Sequence, residues 1–122
     1  PAGELPKKRA VIEAFLAASR ANDLGALVAV LDPDVVLRSD AAAVRLGGPS
    51  ELRGADQVAR MFAGRATAAR VALIDGAVGA IVAPNGKLLL VLTATVEDDR
   101  ITEISAIADR AVLQGYELTA LS

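Results

Sequence analysis

Asp40 is the first residue to weigh for chemistry, because it ends the β-rich run Asp34-Val35-Val36-Leu37-Arg38-Ser39-Asp40. A carboxylate desolvated at a strand end has its pKa raised toward the range of a general acid or base. Arg38 shares strand parity with Asp40, so an extended backbone puts both on one face as carboxylate and charge partner. Arg53 is a second cation for that role, and Glu51, Thr93, Thr95 and the single tyrosine, Tyr116, are weaker polar candidates. Each residue also has a purely structural reading. Asp40 caps or turns the chain beside Ala41, and Arg38 joins a surface ion pair of little energetic weight. The threonines pair across strands, and Tyr116 pins a tail. Lys7-Lys8-Arg9 either approaches DNA or an acidic partner, or simply opens a helix in solvent.

The chain of 122 residues contains no Cys, His or Trp. Disulfides and thiolate metal sites are thereby excluded, and the commonest general base and metal ligand is missing. The best platform for stacking bases is missing too. No phosphate-binding loop or metal-ligand spacing occurs, so no cofactor and no metal is expected. A formal net charge of −2, with Lys and Arg dispersed, lacks the electrostatic footprint of a nucleic-acid binder. No apolar run approaches the roughly 20 residues of a membrane span. The expectation is a soluble, cytoplasmic protein without direct contact to nucleic acid or membrane.

The elements that must position these residues follow from periodicity. Val11, Ile12, Phe15 and Leu16 form a helical stripe over residues 7–20, with Pro6 where a first turn tolerates it. Asp23 caps a second helix with Leu24, Leu27, Val28 and Leu31 on its apolar side, and Pro33 stops it. The strand over residues 34–40 is continued or bent by Ala41 to Val44. A turn at residues 47–50 and a short extended piece at residues 51–53 lead to a third helix from Ala55 to about Ala66. Its Arg60 and Arg65 are expected to stay wet. Strands over residues 70–74 and 78–83 precede a long hairpin whose two-residue turn is Asp98-Asp99, since Asp tolerates the left-handed backbone of a tight turn. That turn pairs Glu97 with Arg100, Val96 with Ile101, Thr95 with Thr102 and Leu90 with Ile107. The stem is then apolar on both faces, with Leu88, Leu90, Leu92 and Ile107 on one side and Leu89, Val91 and Ile104 on the other. A helical turn from Arg110 ends before Gly115. Residues 1–6 read as linker cut from something longer and residues 7–122 as a single α+β domain, helices on one face of an antiparallel sheet.

This order of elements, with Pro33-Asp34-Val35-Val36-Leu37-Arg38-Ser39-Asp40, Glu51-Leu52-Arg53-Gly54-Ala55, Ala63-Gly64-Arg65-Ala66, Asp75-Gly76-Ala77-Val78-Gly79 and Ile104-Ser105-Ala106-Ile107-Ala108-Asp109, resembles the SnoaL-like branch of the nuclear-transport-factor-two-like superfamily. It is more closely similar to the C-terminal SnoaL-like domain of a subset of extracytoplasmic-function sigma factors of the sigma-70 family. The resemblance implies a cone-shaped fold, a curved antiparallel sheet packed on about three helices around a pocket. It also implies a regulatory domain that modulates transcription initiation through contact with the promoter-binding domains of the same polypeptide and RNA polymerase, with a small molecule in the cone. Related domains carry a Gly-rich run after the position of Asp40, whereas this chain has Ala41-Ala42-Ala43, which removes the case for a flexible, backbone-exposing loop there. The enzymes of the branch imply the alternative: a stand-alone cyclase, isomerase or hydrolase using Asp40 as acid or base with Arg38 or Arg53. Pairing of two copies through the sheet is a further arrangement the superfamily implies.

Overall fold

The structure, a computed structural model, describes residues 4–65 and 67–121. Residues 1–3 of the expected linker and Ala66 lie outside the described residues, and the third helix, expected to run to about Ala66, ends at Phe62. Helix α1 (Glu4–Arg20) begins inside the stretch read as linker. Asn22 takes a left-handed φ of 55°, and Asp23 caps α2 (Leu24–Val30) by accepting from the Ala26 N–H. Strand β1 (Leu31–Ser39) follows without a loop. Pro33 therefore sits inside a strand instead of stopping the helix. The pairing of β1 with its neighbour shifts register between Leu31 and Val36, and such an irregularity is where a residue without an N–H fits in a sheet.

Ala41 to Arg45 neither continue nor merely bend that strand; they form a short helix, α3 (Ala41–Arg45). Three alanines after a capping Asp make this possible, since Ala loses the least on entering a helix. Strand β2 (Glu51–Arg53) and helix α4 (Ala55–Phe62) come next. Strands β3 (Ala69–Ile74), β4 (Ala77–Val82), β5 (Leu90–Glu97) and β6 (Arg100–Ile107) run as an antiparallel meander. Helix α5 (Arg110–Gly115) and a terminal strand β7 (Leu118–Ala120) complete the order. The seven strands lie in one sheet, β2-β1-β6-β5-β4-β3-β7. All pairs are antiparallel except β1 with β6, which is parallel. Strand β7, which nothing in the sequence announced, pairs with the edge of β3 through Ala72, Leu73 and Ile74.

The hairpin turn is as expected, with Asp98 and Asp99 at φ of 51° and 62°, but the stem is out of step with the simple pairing. Glu97 faces Arg100 and Val96 faces Ile101, then the register shifts so that Thr95 faces Glu103 and Val91 faces Ile107. Thr102 is the extra residue of a β-bulge, and its hydroxyl donates to the Thr95 carbonyl at 3.3 Å. The bulge re-sorts the faces. Ile101 and Ile104, three residues apart, both reach the main core with Leu90 and Leu92, while Ile107 joins Val91 and Leu88 on the opposite side.

Both faces of the stem are apolar because each has its own cover. On one face α1, α2 and α4 bury Ile12, Phe15, Leu16, Leu27 and Val58 against Val35, Leu37, Ile101 and Ile104. Phe15 and Phe62 meet edge to face with ring centres 5.0 Å apart. On the other face Leu113 of α5 packs with Ile74 and Val91, joined by Ile81, Ile107 and Leu118. Gly79 marks a close approach on β4: a Cβ there would lie 2.5 Å from the Leu92 carbonyl oxygen and 2.7 Å from Ile74 Cδ1. Only glycine lets β4 and β5 come that close.

Candidate functional site

The helix-covered side of the sheet encloses a cavity of about 200 Å³, walled by Leu16 of α1, Leu37 of β1, Met61 and Phe62 of α4, and Leu90 and Leu92 of β5. Its mouth is formed where α3 gives way to Gly47-Gly48 and where Arg65 follows α4. Gly47 has a φ of 103°, which a side-chain-bearing residue rarely adopts. Ser39, on the same strand parity as the buried Val35 and Leu37, adds a hydroxyl to the wall. Arg65 is the one ionisable side chain among the residues lining this space. It is exposed, as expected from the sequence, and its guanidinium approaches Met61 Sδ at 3.9 Å. The alternation of apolar and polar positions on a single strand could reveal Ser39 and Leu37. The wall residues contributed by three separate elements carry no mark in the sequence.

Buried Ser19 fixes the helix that carries Met61 and Phe62. Its hydroxyl donates to the Phe62 carbonyl, and its own carbonyl accepts from the Gly64 N–H at 2.7 Å. The end of α4 is thereby tied to α1, and the chain turns at Gly64, φ 78°, toward Arg65. These bonds satisfy groups that a helix end would otherwise leave unpaired inside the protein.

The candidates from the sequence lie outside this cavity wall. Asp40 is half-buried and caps α3: Oδ1 accepts from the Ala43 N–H at 2.8 Å, and Oδ2 accepts from the N–H groups of Ala108 and Asp109 at 3.0 Å each. Burial works to raise its pKa but is outweighed by those three backbone donors and the charge of Arg45, so the net displacement is downward. The upward displacement expected for an acid or base at this position is therefore reversed, because a carboxylate ringed by N–H donors is held in its charged form. What it does is hold the end of β6 to the end of β1.

Arg38 does not pair with Asp40. It reaches Glu51 at 3.4 Å and Glu103 at 3.1 Å, and Arg53 reaches Glu51 at 2.9 Å. The four side chains form an exposed network across β2, β1 and β6. The Glu51 carboxylate is held below its ordinary pKa, first by the hydrogen bond and charge of Arg53 and then by Arg38. Thr93 and Thr95 line a shallow groove beside it with Glu103 and Ser105. Tyr116 packs partly buried in the smaller core, and burial, then Asp75 and Asp40, raises its phenol pKa. Lys7 and Lys8 border a groove with Val96, Asp98 and Asp99 at the hairpin tip, and burial lowers the pKa of Lys8. Arg9 donates to the Leu121 carbonyl at 2.9 Å and pairs with Glu13. Among the described residues no group of three or more Asp, Glu, His or Cys is placed to hold a metal ion. No described helix is long and apolar enough to cross a membrane.

No family model matches the sequence, and no characterised relative matches it. Solved structures do. An NTF-2 like protein from Burkholderia xenovorans superposes with a TM-score of 0.57 at 16% identity, covering 83% of this chain and 81% of that one. The chain has an NTF2-like fold. Within that fold the likeness extends to the extracytoplasmic function sigma factor SigJ of Mycobacterium tuberculosis, with a TM-score of 0.64 and 26% identity over 86% of this chain. The aligned part is 43% of SigJ, so this NTF2-like chain spans less than half the length of that sigma factor. An LEH-like epoxide hydrolase from M. tuberculosis matches with a TM-score of 0.54 and 25% identity, over 87% of this chain and 81% of that one. The fold is thus common to proteins of different kinds, and by itself it does not assign an activity.

Proposed function

We propose that this chain is the regulatory domain of an extracytoplasmic-function sigma factor. In this reading it acts by docking on the promoter-binding domains of the same polypeptide and on RNA polymerase, and so modulates transcription initiation. The observation that carries the reading is the similarity to SigJ, which spans most of this chain and less than half of that longer protein. The character of the cone supports it: leucines, Met61 and Phe62 make walls suited to holding something apolar, without a carboxylate among the lining residues to move a proton. The exposed Arg38, Glu51, Arg53 and Glu103 network offers a polar contact surface on the sheet. Docking that differs between competent and closed arrangements by 1–3 kcal/mol shifts transcription about 5- to 150-fold. The test is deletion of this domain from the full-length factor, followed by transcription in vitro from its promoter. Output should change; equal output with and without the domain, across growth conditions in the cell as well, removes the proposal.

The likeness to the epoxide hydrolase favours a second reading, a small hydrolase, isomerase or cyclase in which Asp40, held in its charged form beside Arg45, acts as the base. Its signature is turnover that Asp40→Asn abolishes while the fold survives. A folded Asp40→Asn protein with undiminished turnover removes Asp40 from that role. Pairing of two copies through the exposed sheet face is a separate arrangement, read directly from the mass in solution.

A further inference from the structure

We infer that the cone cavity is a binding site for a short-chain aliphatic carboxylate, with Arg65 as its anchor. The inference stands on the isolated domain and does not depend on a sigma-factor context. Three observations converge on the ligand class. The walls are apolar, with Leu16, Leu37, Phe62 and Leu92 on facing elements, so the enclosed part of a ligand must be apolar as well. The volume of about 200 Å³ is below the roughly 300–1,000 Å³ of pockets for drug-sized molecules. At about 30 Å³ per water-sized group it holds on the order of seven groups. The mouth carries one cation, Arg65, exposed and with no carboxylate bridged to it among the described residues, and no acidic side chain lines the space.

A planar guanidinium at the rim of an oily chamber matches a planar carboxylate at the end of an alkyl chain, through two parallel N–H···O bonds. The Ser39 hydroxyl, next to Gly48 at the mouth, supplies one further donor. A compact cation would be repelled by Arg65. A neutral alkane-like ligand would fill the chamber but leave the guanidinium unused. Length is set by the volume: room for about seven water-sized groups corresponds to a chain of about six carbons whose carboxylate stays at the rim.

The experiment is an amide chemical-shift titration of the domain with hexanoate and with hexan-1-ol. Hexanoate should bind saturably, with shifts gathered at Gly47, Gly48, Leu92 and Ala106. Arg65→Gln, a change at an exposed position, should weaken hexanoate at least about tenfold, the loss expected for a hydrogen bond to a charged group, and leave hexan-1-ol unchanged. Ala106→Leu should fill the chamber and abolish both; Val82→Phe, on a partly exposed part of the wall, serves if Ala106→Leu does not fold. The inference is overturned by absence of saturable hexanoate binding, by shifts centred outside the cavity, or by Arg65→Gln weakening both probes equally or neither. Because transcription is not the readout, loss of this inference leaves the regulatory proposal standing, and the reverse also holds.

Discussion

Replacing Asp40 separates a structural clamp from a catalytic carboxylate. In Asp40→Ala the cap of α3 is lost, which costs about 1 kcal/mol. The Ala108 N–H, on a residue only 6% exposed, loses the carboxylate that it meets at 3.0 Å, and a buried donor left unpaired costs about 1–3 kcal/mol. The Asp109 N–H lies on an exposed residue and water replaces its partner at little cost. The sum is about 2–4 kcal/mol, or a drop in melting temperature of roughly 8–16 °C for a domain of this size. Asp40→Asn keeps one accepting oxygen but sets an NH₂ against the remaining donors, so its loss should fall between wild type and Asp40→Ala. The pH dependence gives an independent sign. With a folded pKa below the ordinary carboxylate value, the contribution is fully present above the unfolded pKa of about 3.9 and disappears as pH falls through the folded value. Urea unfolding of wild type and Asp40→Ala should therefore show a constant gap between pH 5 and 8 that narrows below about pH 4. A gap under about 0.5 kcal/mol at pH 7, or one that persists unchanged into acid, refutes the clamp.

Gly79→Val should cost at least about 2 kcal/mol in urea unfolding, because its Cβ would meet the Leu92 carbonyl oxygen at 2.5 Å and overpacking against backbone is not relieved by a rotamer change; a midpoint within error of wild type contradicts the close approach. Tyr116 is the only tyrosine and there is no Trp, so ultraviolet titration reports on it alone. Its midpoint should lie above the ordinary phenol value because burial opposes the phenolate, and the stability it lends should be present below the unfolded pKa of about 10 and be lost as pH rises through the folded value. Arg38→Ala should change stability by less than about 1 kcal/mol in the same urea assay, since its ion pairs are exposed, and a larger loss would show that the network is more than a solvated surface.

The legible parts of the fold were those that repeat or punctuate. The stripe Val11, Ile12, Phe15, Leu16, the Asp23 cap, the Asp98-Asp99 turn and the four-strand meander all follow from local rules, and each is present. What stayed hidden depends on partners far away in the chain. Strand β1 is parallel to β6, and β7 is only three residues long, too short to carry a period. The bulge had a trace, since Ile101 and Ile104 are both apolar at a spacing of three, which a regular strand cannot bring to one face. At the candidate site, Asp40 drew attention as a chemical residue because local sequence does not reveal how many backbone donors surround a carboxylate. The cavity wall, by contrast, is assembled from α1, β1, α4 and β5, and its Leu and Phe residues look like any others.

Thr102 has one more consequence, for changes in chain length. The tip and the stem of the hairpin are two half-phases joined through that single unpaired position. Deleting it would leave Ile101, Ile104 and Ala106 at even spacing in a regular strand, all on the core face and opposite their present partners on β5. Loss of one residue at this spot is therefore absorbed, as is lengthening of the Asp98-Asp99 tip, whereas loss of the paired Ser105 would put Ile104 and Ala106 on opposite faces.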